Sequence, residues 1–93
     1  MYDKNAVNAV KKLILVALET QGTIEVTHGE MKGVNVKESF GITGYHETEV
    51  CIALRDLVSS KSVHQTDTGK RAKTRMKSTA HDEAAIFAYA LAT

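Results

Sequence analysis

Residues 48–79, TEVCIALRDLVSSKSVHQTDTGKRAKTRMKST, decide how the chain folds. Their first part has apolar residues at helical spacing, which predicts an amphipathic helix from about His46 to Ser59. The predicted core-facing residues are Val50, Ala53, Leu54, Leu57 and Val58. The opposite face carries Thr48, Ile52, Arg55 and Ser59.

The second part of this stretch concentrates positive charge. Residues 61–79 contain six of the twelve Lys and Arg residues and one acid, Asp67, although the net charge of the chain is only +1. SVHQT and TRMKST have the β-branched and alternating character of strands, and DTGKRA between them is rich in turn formers. We therefore expect a basic β-hairpin. Local positive charge of this kind is typical of a surface that meets a polyanion, whereas the simpler alternative is a solvated loop.

Upstream, the apolar spacing of residues 5–20 predicts a helix, capped by Asp3 or Asn5 and ended near Gly22. TIEVT at 23–27 alternates apolar and polar residues and predicts a short strand. For residues 27–45 two alternatives stay open. A short helix begins near Asn35, with Glu38 at capping spacing and Val36 and Phe40 facing inward, or it begins after Thr27.

Downstream, STAHDEAAIFAYALAT is rich in alanine, and Thr79 and Asp82 stand at capping spacing. These features predict a C-terminal helix over residues 80–92. Its apolar residues occupy more than one stripe, so one stripe could pack on the first helix and another could form a two-fold dimer interface. The alternative is that both stripes pack within the monomer.

The order of these elements, and the pattern of Val50, Ala53–Leu54, Leu57 and Val63, resembles a winged helix-turn-helix domain. In that family the helix is a recognition helix and the hairpin is a wing; Lys61 stands where the family usually has glycine. The resemblance implies an α+β fold over residues 1–93, with a three-helix core, a small hairpin wing and, in this chain, an added C-terminal helix. It also implies binding of double-stranded DNA, with the helix in the major groove.

Carried onto this chain, the resemblance gives a set of candidate DNA-binding residues. On the helix, Thr48, Ile52 and Arg55 would read bases, and Arg55 suits bidentate bonding to guanine. On the hairpin, the candidates for phosphate contact are Lys70, Arg71, Lys73, Arg75 and Lys77. Each helix residue has a plainer alternative, because Thr48 could cap the helix, Ile52 could pack on the wing and Arg55 could be solvated.

Acids on the same helix favour a different partner. Glu47, Glu49 and Asp56 would bring negative charge towards phosphates, so a protein-interaction adaptor or inhibitor on the same fold is the alternative function. RNA binding through the hairpin is a third hypothesis, which Tyr45 alone supports with a nearby aromatic ring.

Other classes of function find little support in the sequence. The four histidines stand far apart and the single cysteine, Cys51, has no motif around it, so we expect no metal, no cofactor and no enzymatic activity. The longest apolar run is too short for a membrane span. The sequence predicts a cytoplasmic regulator of transcription or DNA-organising factor that acts as a homodimer.

Overall fold

The computed structural model describes residues 3–29, 31–73 and 83–92. In this part of the chain three helices and three strands follow one another as α1 (Lys4–Gln21), β1 (Thr23–Thr27), α2 (Lys32–Phe40), α3 (Glu47–Ser59), β2 (Val63–Lys73) and β3 (Glu83–Leu91). The strands form an antiparallel sheet in the order β1-β3-β2. The predicted α+β class is confirmed.

The first helix and strand follow the sequence pattern closely. The Asp3 side chain accepts a hydrogen bond from the Asn5 backbone N–H at 2.8 Å, which satisfies one of the unpaired donors at the start of α1. At the other end the Gly22 N–H donates to the Leu18 carbonyl at 2.8 Å. In β1, Ile24 and Val26 are buried, and the intervening Glu25 is exposed.

Helix α2 starts between the two alternatives, three residues before Asn35 and five after Thr27. It begins at Lys32, and its N-cap residue, Met31, makes no capping hydrogen bond through its side chain. Asn35 has a different role from the predicted cap, because its Nδ2 donates to the Thr27 carbonyl at 2.9 Å and ties α2 to the end of β1. The expected inward face is confirmed, since Val36 and Phe40 are buried.

Helix α2 and the start of α3 lie close together at Gly33. A Cβ atom placed at Gly33 would lie 2.9 Å from Cβ of Glu47, closer than side-chain carbons pack. A residue without a side chain is therefore required where the two helices meet.

The turn between α3 and β2 contains a residue in a backbone conformation that glycine usually adopts. Lys61 has φ of +64°, in the left-handed region. Two hydrogen bonds hold this turn, from Lys61 N–H to the Val58 carbonyl and from Ser62 N–H to the Leu57 carbonyl, both at 3.0 Å. Val63, buried at 1% exposure, then begins β2 as expected.

The prediction of a helix over residues 80–92 is wrong. Glu83–Leu91 is β3, the central strand, which pairs with β1 on one side and β2 on the other. Its backbone groups bond to two neighbours, and this pairing outweighs the helical preference of an alanine-rich segment. A dimer interface on a C-terminal helix is thereby removed for residues 83–91. The predicted caps Thr79 and Asp82 lie outside the described residues.

The hairpin also differs from its prediction, because DTGKRA does not end the strand. β2 continues to Lys73, and its register against β3 shifts between the pairs Asp67–Phe87 and Arg71–Ala85. Four steps along β2 match two along β3, so β2 accommodates two extra residues as a bulge. Gly69, with φ of +79°, and the Asp67 carboxylate, which accepts from the Gly69 N–H at 2.9 Å, shape this bulge. The second predicted strand, TRMKST, lies outside the described residues.

One core joins the helices to one face of the sheet. The inner face contributes Ile24, Val26, Val63 and Tyr89, and the helices contribute Val7, Val10, Ile14, Leu18, Val36, Phe40, Val50, Ala53, Leu54 and Leu57. Tyr89 is fully buried, and its ring meets the Phe40 ring edge-on at a centroid distance of 6.1 Å. The core holds α3 by one face and leaves the opposite face uncovered.

Candidate nucleic-acid interface

The uncovered face of α3 carries the residues that the sequence analysis assigned to base reading. Thr48, Arg55 and Ser59 are exposed, and Ile52 is half-buried because it packs against the core. These four residues, called the α3 surface below, repeat at intervals of three or four and therefore lie along one stripe. The structure brings the predicted residues of α3 together.

The acids at the start of α3 have roles within the helix. The His46 ring accepts from the Thr48 N–H at 3.0 Å, and Glu49 accepts from the His46 N–H at 3.1 Å, which forms a reciprocal cap. Glu47 and Glu49 also place negative charge at the positive end of the helix dipole. Stabilisation of the helix start thus accounts for these two acids.

Arg55 is held only loosely on this surface. Its Nη2 lies 3.3 Å from Oδ1 of Asp56, whose Oδ2 lies 3.6 Å from Nζ of Lys11 on α1. Adjacent residues of a helix do not face each other, so the Arg55–Asp56 contact requires Arg55 to lean sideways. With 67% of its side chain exposed, Arg55 can leave this partner at small cost.

The basic residues of β2 divide between the two faces of the sheet. Asp67 and Arg71 pair with Phe87 and Ala85, odd-numbered residues that share the inner face with buried Tyr89. The Arg71 Nη1 lies 3.5 Å from Oδ1 of Asp67 and also donates to the Lys70 carbonyl at 2.9 Å. Arg71 therefore belongs to the face that the helices cover.

Lys70 lies on the other face. Its Nζ donates to both carboxylate oxygens of Glu25 at 3.1 and 3.2 Å, across β3. Glu25 pairs with Ala88, and this register places it on the face opposite the core. Lys70 is the predicted contact that the structure separates most clearly from the α3 surface.

Of the three remaining predicted basic residues, one lies at the end of the described part of β2 and two lie outside the described residues. Lys73 is the last described residue of β2 and pairs in register with Glu83. Arg75 and Lys77 lie outside the described residues.

A cavity of about 110 Å³ lies between the α3 surface and the sheet. Arg55 and Ser59 line it from α3, Gln65 from β2 and Lys32 from the first position of α2. The sequence analysis missed Lys32 and Gln65. A helix that begins near Asn35 leaves Lys32 outside α2, and a start after Thr27 does not show that Lys32 lies near α3. The alternating pattern around Gln65 predicts a strand but not a position next to α3.

Next to this cavity, His28 joins the end of β1 to the central strand. Its Nε2 lies 2.8 Å from the Tyr89 hydroxyl, and its ring stacks on Phe87 at a centroid distance of 4.2 Å. Burial lowers the pKa of His28, the nearby charge of Lys32 lowers it further, and Asp67 opposes both. The neutral imidazole is thus favoured here.

Burial also keeps the two other titratable groups of this region neutral. It raises the pKa of Tyr89 to about 12, with a smaller contribution from Cys51. Burial is likewise the main reason that the pKa of the Cys51 thiol is raised, with Lys32 acting in the opposite direction. Cys51 therefore lacks the lowered pKa of a reactive thiolate.

The described residues contain neither a cluster of metal ligands nor a membrane-spanning helix. In residues 3–29, 31–73 and 83–92, no three His, Cys, Asp or Glu side chains lie close enough together to hold a metal ion. Within the same residues, no helix is both long and apolar enough to cross a membrane.

Comparisons of the chain with protein-family models, with curated proteins and with solved structures gave no match.

Proposed function

We propose that this chain binds double-stranded DNA as a small winged helix-turn-helix protein, with α3 in the major groove. The observation that carries the proposal is the exposed α3 surface on a helix whose other face is buried in the core. An α-helix with its side chains is about 10–12 Å across, and the major groove is about 12 Å wide. The element order and the antiparallel three-stranded sheet are compatible with a winged helix.

Within this proposal, Arg55 is the main base-reading residue. Its guanidinium can leave Asp56 and bond O6 and N7 of a guanine bidentately. Thr48 is exposed for contact with a base edge or a phosphate, and the part of Ile52 that the core leaves accessible suits a thymine methyl group.

The hairpin supplies phosphate contacts in this proposal, and its Lys and Arg residues contribute unequally. Arg71 lies on the face of the sheet against which α3 packs, whereas Lys70 bonds Glu25 on the other face of the sheet. We therefore assign positioning on the DNA backbone to Arg71 and Lys73, together with Arg75 and Lys77, and a minor role to Lys70. Such a protein would act as a transcriptional regulator or a DNA-organising factor.

Fluorescence anisotropy of a labelled random-sequence duplex, measured across a salt series, tests the proposal. Arg71→Gln should weaken binding and make the slope of log affinity against log salt shallower by up to about 0.9, the value for one lost phosphate contact. Lys70→Gln removes the same charge on the opposite face and is the matched control, with an expected slope near that of the wild type. Absence of wild-type binding at low salt, or equal effects of the two variants, would contradict this assignment.

A protein-interaction adaptor is the second candidate function. The observation that favours it is that Arg55, Lys70 and Arg71 each already have an acidic neighbour, Asp56, Glu25 and Asp67 respectively. This function predicts negligible affinity for duplex DNA at low salt. It also predicts that changes at Glu47, Glu49 or Ile52 abolish a complex with a purified protein partner.

A further inference from the structure

Helix α1 has a second apolar face, which the core of the chain does not cover. Leu13 and Val16 are 43% and 57% exposed, although most large hydrophobic residues of the described chain are buried or half-buried. They continue a line of residues that includes half-buried Ala6 and Ala9 and exposed Thr20. These five residues, Ala6, Ala9, Leu13, Val16 and Thr20, are called the outer stripe of α1.

The spacing of the outer stripe is that of a coiled coil. Its members follow one another at intervals of three, four, three and four residues, an average of 3.5. This period keeps one seam directed at a neighbouring helix over several turns, as positions a and d of a heptad do. The outer stripe covers Ala6 to Thr20, about 21 Å of helix at 1.5 Å per residue.

The charges beside the outer stripe indicate what covers it. Lys12 precedes Leu13 and Glu19 precedes Thr20, so both occupy the position called g, one residue before a. Both are exposed, and among the residues that the structure describes neither forms an ion pair within 4.0 Å. One helix therefore carries opposite charges, one heptad apart, along one edge of its apolar seam.

This charge pattern is complementary to itself when two copies of α1 run antiparallel. In that arrangement the g positions of the two helices flank the same edge of the seam. Lys12 of each copy then lies near Glu19 of the other. A parallel pair would instead place g against e, and the e positions are the uncharged Val10 and Ala17. Val10 is moreover buried in the core of its own chain.

We infer that a second copy of this chain docks on the outer stripe of α1, which gives a two-fold dimer with antiparallel α1 helices. In each half of the seam, Leu13 of one copy packs beside Val16 of the other, and Ala9 beside Thr20. This surface takes the place of the C-terminal helix, for which a dimer interface is one of the two alternatives in the sequence analysis. The inference rests on α1 alone and does not require that the protein bind DNA.

Charge exchange tests the dimer and its orientation. In Lys12→Glu both charge pairs along this edge oppose Glu to Glu, and in Glu19→Lys both oppose Lys to Lys. We expect either change to weaken dimerisation about tenfold, since two symmetric pairs change from attraction to repulsion. An equimolar mixture of the two variants should regain wild-type affinity as a heterodimer, because every pair is again opposite in charge. The double variant Lys12→Glu/Glu19→Lys should regain it as a homodimer.

Sedimentation velocity at a series of micromolar concentrations measures these affinities, with circular dichroism as a check that each variant is folded. Val16→Glu, which buries a carboxylate in the seam but lies on the surface of the monomer, should give a folded monomer. Asn8→Glu places the same carboxylate at an exposed residue of α1 outside the outer stripe. It is the matched control and should leave the dimer intact. A monomeric wild type, a dimer that survives Val16→Glu, or failure of the mixture to recover would each overturn the inference. A dimer without DNA affinity would leave it standing and refute only the proposed function.

Discussion

Replacement of Asp56 by Asn should strengthen DNA binding, because Asp56 both holds Arg55 and repels phosphates. Its carboxylate lies 3.3 Å from the Arg55 guanidinium and 3.6 Å from the Lys11 ammonium, and both contacts are at the surface. A negative charge about 5–10 Å from a phosphate, in a dielectric close to that of water, opposes binding by about 0.4–0.8 kcal/mol. Its removal corresponds to about a two- to fourfold gain in affinity.

The cost of this change to the fold should be small. Exposed ion pairs contribute about 0.2–1 kcal/mol each, and the Arg55–Asp56 pair has the less favourable geometry. Asp56→Asn should therefore lower the free energy of unfolding by no more than about 1 kcal/mol, which urea titration can measure.

Anisotropy with a labelled duplex at low salt measures the affinity, and Arg55 separates the two causes of the gain. If released Arg55 contacts the DNA, Arg55→Ala should lower the DNA affinity. The loss of affinity caused by Arg55→Ala should then be larger in the Asp56→Asn background than in the wild type. If only the negative charge matters, the two losses are equal. Weaker or unchanged binding by Asp56→Asn would refute the placement of α3 against phosphates.

Four further outcomes concern stability and can be measured by thermal or urea unfolding. Tyr89→Phe removes the 2.8 Å hydrogen bond to His28 and should cost about 1 kcal/mol, or about 4–8 °C in Tm; an unchanged Tm would contradict the contact. The pKa of His28 is lower in the folded chain than its usual 6.5, so stability should decline as pH falls below about 6.5. His28→Gln should flatten that decline, and an equally steep profile would show that other groups cause it. Leu54→Ala, at a site 2% exposed, should cost about 2–5 kcal/mol, and a loss below 1 kcal/mol would disprove tight packing there. Lys61→Gly should be neutral or stabilising by up to about 1 kcal/mol, since it relieves a positive φ, and clear destabilisation would argue against that conformation.

The parts of the fold that the sequence predicts well are those with one buried face and a cap. α1, β1 and α3 have apolar residues at a clear period, and Asp3, Gly22 and His46 mark their ends. The apolar pattern of α3 also predicts which of its side chains remain outside the core. For these elements local preference and tertiary packing agree.

The C-terminal segment was mispredicted because alanine hid its period. If alanine counts as apolar, residues 84–91 read as a continuous apolar run; if it counts as small, the large residues Phe87, Tyr89 and Leu91 alternate with Ala88 and Ala90. That alternation of period two is the pattern of a strand. The pairing of β3 with both neighbours, which decides the outcome, depends on residues far away in the chain.

The candidate site, like the fold, has one part that the sequence predicts and one part that it does not. The α3 surface follows from periodicity, but the separation of Lys70 from Arg71 does not, since two extra residues in a bulge decide which sheet face each one joins. The turn signal in DTGKRA was real as local chemistry, because Asp67 and Gly69 do bend the backbone. It bends the strand without reversing it.

The central position of β3 also sets the order in which the chain can fold during its synthesis. Among the six elements of the described residues, Glu83–Leu91 is the last to leave the ribosome, and until then neither β1 nor β2 has its partner. Thr23 then pairs with Ala90, so the sheet closes a loop that contains α2, α3 and β2. Closure of such long loops slows folding. The helices can form as the chain emerges, but β1 and β2 keep unpaired edges until β3 arrives. Through that interval the nascent protein is most exposed to aggregation and to chaperones.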